Sequence, residues 1–380
     1  MSAGGRDLRE LFGARFEAML ADLEALVLRE SPSGEAALVS ELARWIAARL
    51  EKSGITASCV PCADRGDALR VRLGPERGGA LLLGHIDTVW PAGTLAEIPF
   101  RVEEGVARGP GVFDMKGGVA VAIAVLEALA RGDVKAPEGV TLFLTPDEEL
   151  GSRASRDLLV GEALNRDRVL VLEPAGDGGA AKIARKGTGL VTARFMGVAA
   201  HAGLEPEKGA SALLEMSRFA IYADALADLS AGTSVVPTVA ASGSVTNVVP
   251  EQATLSVDFR LWSEAEGQRV LTGLNAYRPA NARVEVALEG GVNRPPMEAT
   301  EASLALYRRA AAFAQTLGFP LPGVRVGGAS DGNLTASAGV PTLDGLGPSG
   351  GGAHARTEHL LVDDLPRRAA LLAALLEDAA

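Results

Sequence analysis

Apolar residues occur along this chain in two patterns, as short continuous runs and as longer segments with helical spacing. Residues 8–29 show helical spacing and predict one amphipathic helix, and a second helix is predicted to end near Leu50. Continuous runs that predict buried strands lie at 71–73, 80–83, 141–145 and 169–172. The nearly all-apolar segment 119–130 predicts a helix buried on every side. Strands that alternate with helices predict an α/β sheet with helices packed against it.

Two segments between these elements have the composition of loops. Residues 74–79 are rich in glycine and predict a hairpin loop, so that strands 71–73 and 80–83 would be neighbours in the sheet. Residues 90–111 contain several prolines and predict a long irregular loop, of a kind that often carries function.

The pattern changes after residue 187 and predicts a second domain. Strands are predicted at 190–196, 234–240, 253–260 and 282–288, and helices at 209–229 and 264–276. The order β-α-β-β-α-β is typical of a small open-faced sandwich, which predicts an inserted domain at 188–294. Residues 1–187 and 295–380 would then form the first domain, and residues 290–296 are predicted to be the linker that leaves the insertion.

Length and charge narrow the classes of function. The chain has 380 residues, more than a single core usually holds, which agrees with two domains. No window approaches the roughly 18 uninterrupted apolar residues of a membrane span, so no membrane partner is expected. A net charge of -11 argues against nucleic acid as a partner, because binding to phosphates needs a basic surface. The N-terminal residues show no signal peptide, so a cytoplasmic location is expected.

Cys59 and Cys62 are the only cysteines in the sequence, and they are spaced as Cys-Val-Pro-Cys. A single pair cannot complete a zinc site of four cysteines. Two alternatives remain open. One is a redox pair, since the Cys-x-x-Cys spacing lowers thiol pKa, and the other is two ordinary thiols in or beside a strand.

Polar side chains end three of the predicted apolar strands. His85 and Asp87 follow the first of these strands, and because alternate residues of an extended strand share a face, both side chains should point the same way. The residues that follow the other two strands are Glu148, Glu149 and Glu173. Because ligands bind at the carboxyl ends of strands in α/β sheets, these residues predict a ligand crevice at that edge.

Asp114 and His354 lie in glycine-bounded loops and extend this set. A hydrolytic site with two metal ions needs about six ligand positions, and imidazole with carboxylate suits zinc, with manganese or cobalt as alternatives. Asp114 could instead be a helix cap, and His354 a surface loop residue. Neither explanation accounts for carboxylates at several apolar strand ends, where burial without a compensating cation costs several kcal/mol each.

Five short motifs occur along the chain in order. They are Gly-His-Ile-Asp-Thr-Val-Trp at 84–90, Gly-Pro-Gly-Val-Phe-Asp-Met-Lys-Gly-Gly at 109–118, Asp-Glu-Glu-Leu-Gly-Ser at 147–152, Leu-Glu-Pro at 172–174 and Gly-Gly-Ala-His at 351–354. In these motifs the sequence resembles the M20 family of co-catalytic zinc metallopeptidases, most closely its glutamate carboxypeptidase branch. The resemblance implies an α/β zinc-peptidase-like catalytic domain, with a mixed sheet flanked by helices, and an inserted α+β (βαββαβ) lid and dimerisation domain.

The same resemblance implies which residues hold two zinc ions. His85 and Glu173 would bind one ion, and Glu149 and His354 would bind the other. Asp114 would bridge the two ions. Manganese or cobalt remain possible substitutes.

Catalytic roles are implied in the same way. Glu148 would be the general base that takes a proton from the water between the ions, and Asp87 would hold the imidazole of His85. His201, in the inserted domain, would reach the active site of a partner subunit in a homodimer and stabilise the oxyanion. Within the family, glutamate at the position of Glu173 goes with carboxypeptidases and N-acyl amino acid hydrolases, so cleavage beside a free carboxylate is favoured.

Three further residues are candidates for binding the polar groups of a substrate, namely Asn247, Arg260 and Arg294. Arginine suits a substrate carboxylate because its planar guanidinium donates two parallel hydrogen bonds. Arg260 could equally be a residue of the strand surface. The segments 185–187 and 331–333 depart from the glutamate-specific members of the family, so glutamate preference stays open.

Three functional hypotheses follow. The first is a zinc carboxypeptidase that releases a C-terminal amino acid, such as glutamate, from a small peptide or N-acyl substrate. The second is an N-acyl amino acid deacylase of the acetylornithine or succinyl-diaminopimelate type, with the same machinery. The third is a non-catalytic binding homologue, which we would expect to lack a ligand or the base, and the sequence lacks neither.

Overall fold

The computed structural model describes residues 7–378, which fold into two compact units. The first unit holds the described residues up to Ala184, the segment Ala299–Val326 and the described residues from Ser330 onward. The second unit holds Arg185–Glu298 together with Gly327–Ala329, and so it spans the segment predicted as an insertion. Within 7–378, no helix is long and apolar enough to cross a membrane.

Helices and strands alternate through most of the first unit, in agreement with the apolar pattern. The helices are α1 (Leu8–Gly13), α2 (Phe16–Val27), α3 (Ala36–Glu51), α4 (Gly117–Ala130), α5 (Arg156–Ala163), α6 (Ala212–Asp224), α7 (Glu264–Asn275), α8 (Glu301–Thr316), α9 (Gly332–Ser337) and α10 (Asp364–Glu377). The strands are β1 (Ala57–Cys62), β2 (Gly66–Leu73), β3 (Ala80–His85), β4 (Arg101–Glu103), β5 (Val106–Arg108), β6 (Val140–Thr145), β7 (Arg168–Val171), β8 (Ala181–Arg185), β9 (Gly187–Met196), β10 (Ser234–Ser242), β11 (Gln252–Leu261), β12 (Glu285–Arg294), β13 (Gly323–Val326), β14 (Thr342–Leu343), β15 (Gly350–Gly351) and β16 (His359–Leu361).

The main sheet of the first unit has the strand order β1-β2-β6-β3-β7-β14. β3 runs parallel to β6 and β7, whereas β2 runs antiparallel to β6 and to β1, so the sheet is mixed as expected. β3, β6 and β7 are buried along their whole length, which explains their continuously apolar sequences. Their shared direction brings the residues that follow them to one edge of the sheet.

The hairpin predicted for residues 71–83 is wrong. β6 lies between β2 and β3 and pairs with both of them. The glycines of the connecting loop serve a close approach to the start of β6, because a Cβ on Gly74 or Gly79 would collide with the backbone of Gly139. Both glycines also have positive φ, at 91° and 69°. A glycine-rich composition therefore marked a tight crossing rather than a hairpin turn.

The helices of the first unit cover the apolar sheet. α4 is buried along nearly its whole length, which confirms the prediction from its all-apolar sequence. The single helix predicted at 8–29 is wrong, because the chain forms α1 and α2 with a break after Gly13. At the break, Arg15 turns inward and donates to the carbonyl of Ala124 at 3.0 Å. Glycine lowers helix stability, and the break satisfies a buried carbonyl near the end of α4.

The second unit is a four-stranded antiparallel sheet of order β10-β11-β9-β12, with the element order β9-α6-β10-β11-α7-β12. Alternate residues of β11 are buried, from Ala253 to Leu261, and they form a core with α6 and α7. The opposite face of β11 carries polar residues such as Asp258 and Arg260. This unit therefore has a helix-covered face and a polar face.

The linker predicted at 290–296 is wrong for its first half, because β12 continues to Arg294. β12 pairs with β9 as far as the partners Arg294 and Thr188, with an irregularity at Asn293. The glycines that suggested a linker allow close strand contact instead, since a Cβ on Gly290 would collide with the carbonyl of Leu190.

Candidate metal centre

The predicted ligands converge at one edge of the main sheet. His85 is the last residue of β3, Glu149 lies in a short 3₁₀ turn after β6, and Glu173 follows β7. Asp114 lies in the irregular turn Val112–Lys116 before α4, and His354 lies between β15 and β16. Donor atoms of His85, Asp114 and Glu149 all lie within 4.8 Å of one another. Residues far apart in the sequence thus form one cluster of metal-binding type.

Asp114 lies at the centre of this cluster. Its Oδ1 is 3.2 Å from Nε2 of His85, and its Oδ2 is 3.4 Å from Nε2 of His354. The same nitrogen of His85 is 3.4 Å from Glu173, and that of His354 is 3.2 Å from Glu149. The five side chains therefore form two imidazole–carboxylate pairs, and each pair faces one oxygen of Asp114.

The charges of these groups are strongly coupled. Burial would raise the pKa of Asp114, but hydrogen bonds from His354 and His85 outweigh it and hold the pKa well below its ordinary value. Hydrogen bonds to Asp114 and Glu149 raise the pKa of His354 to about 10. The pKa of His85 is also raised, because the surrounding carboxylates outweigh its burial. The site therefore has a strong preference for positive charge.

Asp87 fixes both the histidine and the glutamate turn. Nδ1 of His85 is 2.9 Å from the carbonyl oxygen of Asp87 and 3.4 Å from its carboxylate, so Nε2 is the nitrogen presented to the cluster. The carboxylate of Asp87 also accepts the backbone N–H groups of Glu148 and Glu149, at 3.1 and 3.2 Å. The sequence predicted the first contact, whereas the second was not anticipated.

The turn that carries Glu148 and Glu149 is anchored by two more buried aspartates. Asp147 accepts hydrogen bonds from the backbone of Ala154 at 2.8 Å and from the hydroxyl of Ser155 at 2.5 Å. Asp331 accepts from Thr145 at 2.7 Å and from Ser152. Asp331 comes from a distant glycine turn, and no local pattern indicated that it would support this loop.

Glu358 is a further buried residue that sequence reasoning missed. Its side chain accepts hydrogen bonds from the backbone of Gly111, Phe113 and Asp114 and from the indole of Trp90, at 2.7–3.0 Å. The available signal was its position four residues after His354, in a stretch interpreted as surface loop. It is instead only 3% exposed.

His201 and Asn247 are neighbours within the second unit. Residues His201 and Val248 form a β-bridge, and the carbonyl of Asn247 accepts the N–H of Ala202 at 2.9 Å. Nδ1 of His201 accepts the backbone N–H groups of Gly203 and Leu204, both at 3.1 Å. The ring proton therefore lies on Nε2, and the exposed ring presents a hydrogen-bond donor.

Arg260 and Arg294 flank β9 in the sheet of the second unit. Thr188 of β9 is the register partner of Arg260 on β11 and of Arg294 on β12. Arg260 makes a bidentate ion pair with Asp258, at 2.8 and 3.0 Å, as a residue of the strand surface would. Arg294 is only 4% exposed. Of the two arginines, Arg260 has its guanidinium already engaged by a carboxylate of its own strand.

The two cysteines lie in β1, and neither forms a disulfide. Burial raises the pKa of both the Cys59 and the Cys62 thiols. Residues three apart on a strand also point to opposite faces. A redox pair requires a lowered thiol pKa, so the structure favours the alternative of two ordinary strand thiols.

Comparison with known proteins places this geometry in a family. A family model described as peptidase family M20/M25/M40 matches residues 81–378. Carboxypeptidase G2 from Pseudomonas sp. (strain RS-16) is 33% identical over 373 residues, which cover 95% of this chain and 89% of the relative. A succinyl-diaminopimelate desuccinylase from Methylococcus capsulatus is 29% identical over 380 residues, which cover 92% of this chain and 96% of the relative.

Solved structures show the same fold. The aminopeptidase PepT from Bacillus cereus ATCC 10987 superposes with a TM-score of 0.79 at 22% identity, covering 95% of this chain and 98% of the other. The cluster of histidine and carboxylate donors suits the metal dependence of this family. This chain therefore belongs to peptidase family M20/M25/M40 and is a metallopeptidase-type hydrolase.

Proposed function

We propose that this protein uses two zinc ions to hydrolyse the amide bond next to a C-terminal amino acid. The position of Asp114 carries the proposal, because its two carboxylate oxygens face two different imidazoles, at 3.2 and 3.4 Å. A carboxylate shared by two sets of donor atoms is what a bridging ligand provides in a site with two metal ions.

The donor set fits zinc. His85 and Glu173 would hold one ion, His354 and Glu149 the other, and Asp114 both. Imidazole nitrogen and carboxylate oxygen are ordinary zinc ligands, and Mn²⁺ or Co²⁺ accept the same donors. When bound, such ions lower the pKa of a coordinated water and polarise the carbonyl of the scissile amide.

Glu148 acts as the general base in this proposal. Its carboxylate takes a proton from the attacking water and passes it to the amide nitrogen as the carbon–nitrogen bond breaks. Its half-buried position supports the role, as does its place beside the ligand Glu149. Asp87 accepts the backbone N–H of both residues, so the base and the ligand keep a fixed relative orientation.

His201 supplies a hydrogen bond to the oxyanion in the active site of a partner subunit. Its fixed tautomer supports this role, because the exposed Nε2–H is a donor and needs no change of protonation. The role requires a homodimer formed through the second unit. Two features support one, namely the exposed apolar residues Leu214 and Ile221 on α6 and the edge strand β10 with exposed Val239.

The substrate is a small peptide or N-acyl amino acid with a free α-carboxylate beside the scissile bond. Glu173 supports this preference through the family pattern, and Arg294 is the candidate that binds the carboxylate. Arg260 is the weaker candidate, because Asp258 already engages it. Asn247 lies beside the segment of His201, where it would bind a polar group of the same substrate.

A second candidate function is deacylation of an N-acyl amino acid. The observation that favours it is the 29% identity to a succinyl-diaminopimelate desuccinylase over 92% of this chain. The chemistry of the site is the same for both functions, since each hydrolyses an amide. They differ in whether the released amino acid or the acyl group determines the rate.

The test is a panel of N-acyl amino acids and dipeptides assayed with the zinc-loaded protein, with released amine measured by chromatography. We expect turnover whose rate depends mainly on the C-terminal amino acid. A rate that follows the acyl group instead favours the deacylase. No turnover of any substrate by protein that holds two zinc ions would overturn the proposal in favour of a binding homologue.

A further inference from the structure

Glu358 is a buried carboxylate with four hydrogen-bond donors and no printed cationic partner among the described residues. Oε1 accepts the backbone N–H groups of Phe113 and Asp114, at 2.9 and 3.0 Å. Oε2 accepts the N–H of Gly111 at 3.0 Å and the indole N–H of Trp90 at 2.7 Å. Both oxygens are thus used on one short segment and on the loop beside it.

The segment that Glu358 holds is the one that carries the central carboxylate of the metal centre. Asp114 has non-helical backbone angles, φ -111° and ψ 97°, inside an otherwise helical turn. No ladder of sheet hydrogen bonds therefore fixes its backbone. Lys116 anchors the far side of the segment, since its buried ammonium donates to the carbonyl of Arg29 at 2.8 Å. Glu358 anchors the near side, directly at the N–H of Asp114 itself.

Glu358 is also tied to the second histidine of the centre. The backbone N–H of Glu358 bonds to the carbonyl of Ala355 at 2.8 Å, and that of Ala355 bonds to Gly352 at 2.9 Å. His354 lies between these turns with φ 61°, a left-handed conformation that neighbouring contacts must maintain. Anchoring Glu358 therefore fixes the turn in which His354 sits.

We propose that Glu358 is a positioning residue for the metal centre: by holding the Asp114 segment and the His354 turn together, it sets the separation of these two ligands. The inference rests on the proposed two-zinc site and adds to it a residue that touches neither ion. His85 and Glu173 depend less on Glu358, because they are placed by β3 and β7. Loss of the Glu358 carboxylate should thus weaken chiefly the ion held by His354, Glu149 and Asp114.

The decisive variant is Glu358→Gln. It preserves the size of the side chain but turns an NH₂ group toward donors that need an acceptor. Glu215→Gln is the matched control, because Glu215 is a fully buried glutamate of the second unit that also accepts backbone N–H groups, from Ala280 at 2.8 Å and Asn281 at 3.4 Å. It makes the same chemical change away from the metal ligands.

Metal-free wild type and both variants are titrated with Co²⁺, with the visible absorption spectrum and calorimetry as readouts and circular dichroism as the check of folding. We expect Glu358→Gln to bind one ion about 10–100-fold more weakly than wild type and with an altered spectrum. We expect Glu215→Gln to keep wild-type affinity for both ions, whatever its melting temperature. Binding of both ions by Glu358→Gln with wild-type affinity and spectrum would overturn the proposal.

Trp90→Phe decides the matter if Glu358→Gln does not fold. Trp90 is only partly buried, and the change removes a single donor to Oε2. A several-fold loss of affinity for one ion supports the proposal, and unchanged binding of both ions overturns it. Failure of wild type to bind two ions would instead count against the proposed function, so the two failures are distinguishable.

Discussion

Removal of Asp114 is the sharpest test of the metal centre. Asp114→Ala takes away the carboxylate that lies 3.2 Å from His85 and 3.4 Å from His354, so each proposed zinc ion loses one of its protein ligands. A structural zinc site with four ligands contributes about 10–16 kcal/mol, or about 3 kcal/mol per ligand. At 1.4 kcal/mol per tenfold change, each ion should bind about a hundredfold more weakly.

The assay measures zinc per chain after gel filtration, together with affinity by competition with a chelator. Glu148→Gln is the control, because Glu148 has no proposed bond to either ion. We expect that variant to keep two ions per chain while kcat falls by about 10²–10⁴, the usual contribution of a general base. If Asp114→Ala retained two ions with wild-type affinity, the bridging assignment would be refuted. If Glu148→Gln lost its ions, the separation of ligand and base would be refuted.

Three further outcomes are expected. Because His354 has its pKa raised to about 10, its protonation stabilises the metal-free protein fully below its unfolded pKa near 6.5, and this stabilisation is lost as the pH rises toward 10. Melting temperatures of metal-free protein should therefore fall across this window more steeply than those of metal-free His354→Ala, and equal slopes would contradict the shift. Mixing inactive Glu148→Gln with inactive His201→Ala subunits should restore part of the activity, and no recovery after confirmed subunit exchange would place His201 in its own chain or outside the reaction. Amidation of the substrate α-carboxylate should lower kcat/KM at least about tenfold, and Arg294→Ala should do the same for the acid but hardly for the amide, whereas equal rates on acid and amide would argue against the carboxylate-binding role.

The ligands could be predicted from sequence because strands bring them together in a regular way. His85 ends β3 and Glu149 follows β6, and the two strands are parallel neighbours with His85 opposite Thr145. Strand order within the sheet was not needed for this argument, since any parallel arrangement places these residues at one edge. The prediction therefore survived the error in which β2 and β3 were taken as neighbours.

The supporting residues could not be predicted, because their contacts join distant segments without a local pattern. Glu358 accepts from residues about 245 positions earlier, and Asp331 accepts from Thr145 across a separation of 186. A buried carboxylate that binds backbone N–H groups leaves no periodicity in the sequence. It resembles any exposed acidic residue until the fold removes it from solvent.

Glycines misled the analysis for a related reason. The same residue permits a turn and permits two backbones to touch, so Gly74 and Gly290 were assigned to loops although both serve close contacts between strands. Only the neighbouring chain distinguishes the two uses. Boundaries next to such glycines were accordingly the part of the fold that sequence patterns predicted least well.

The metal centre combines two kinds of support, and they impose different requirements on the sequence. His85 and Glu173 are placed by buried strands, whose hydrogen bonds and packing fix the backbone without special residues. Asp114 and His354 lie in irregular segments, where backbone N–H groups lack regular partners and must find other acceptors. A buried carboxylate can accept several of them at once, because each oxygen has two lone pairs. We therefore expect substitutions around the site to have unequal effects: changes in β3 should act through stability, whereas changes at Glu358 should act through metal affinity.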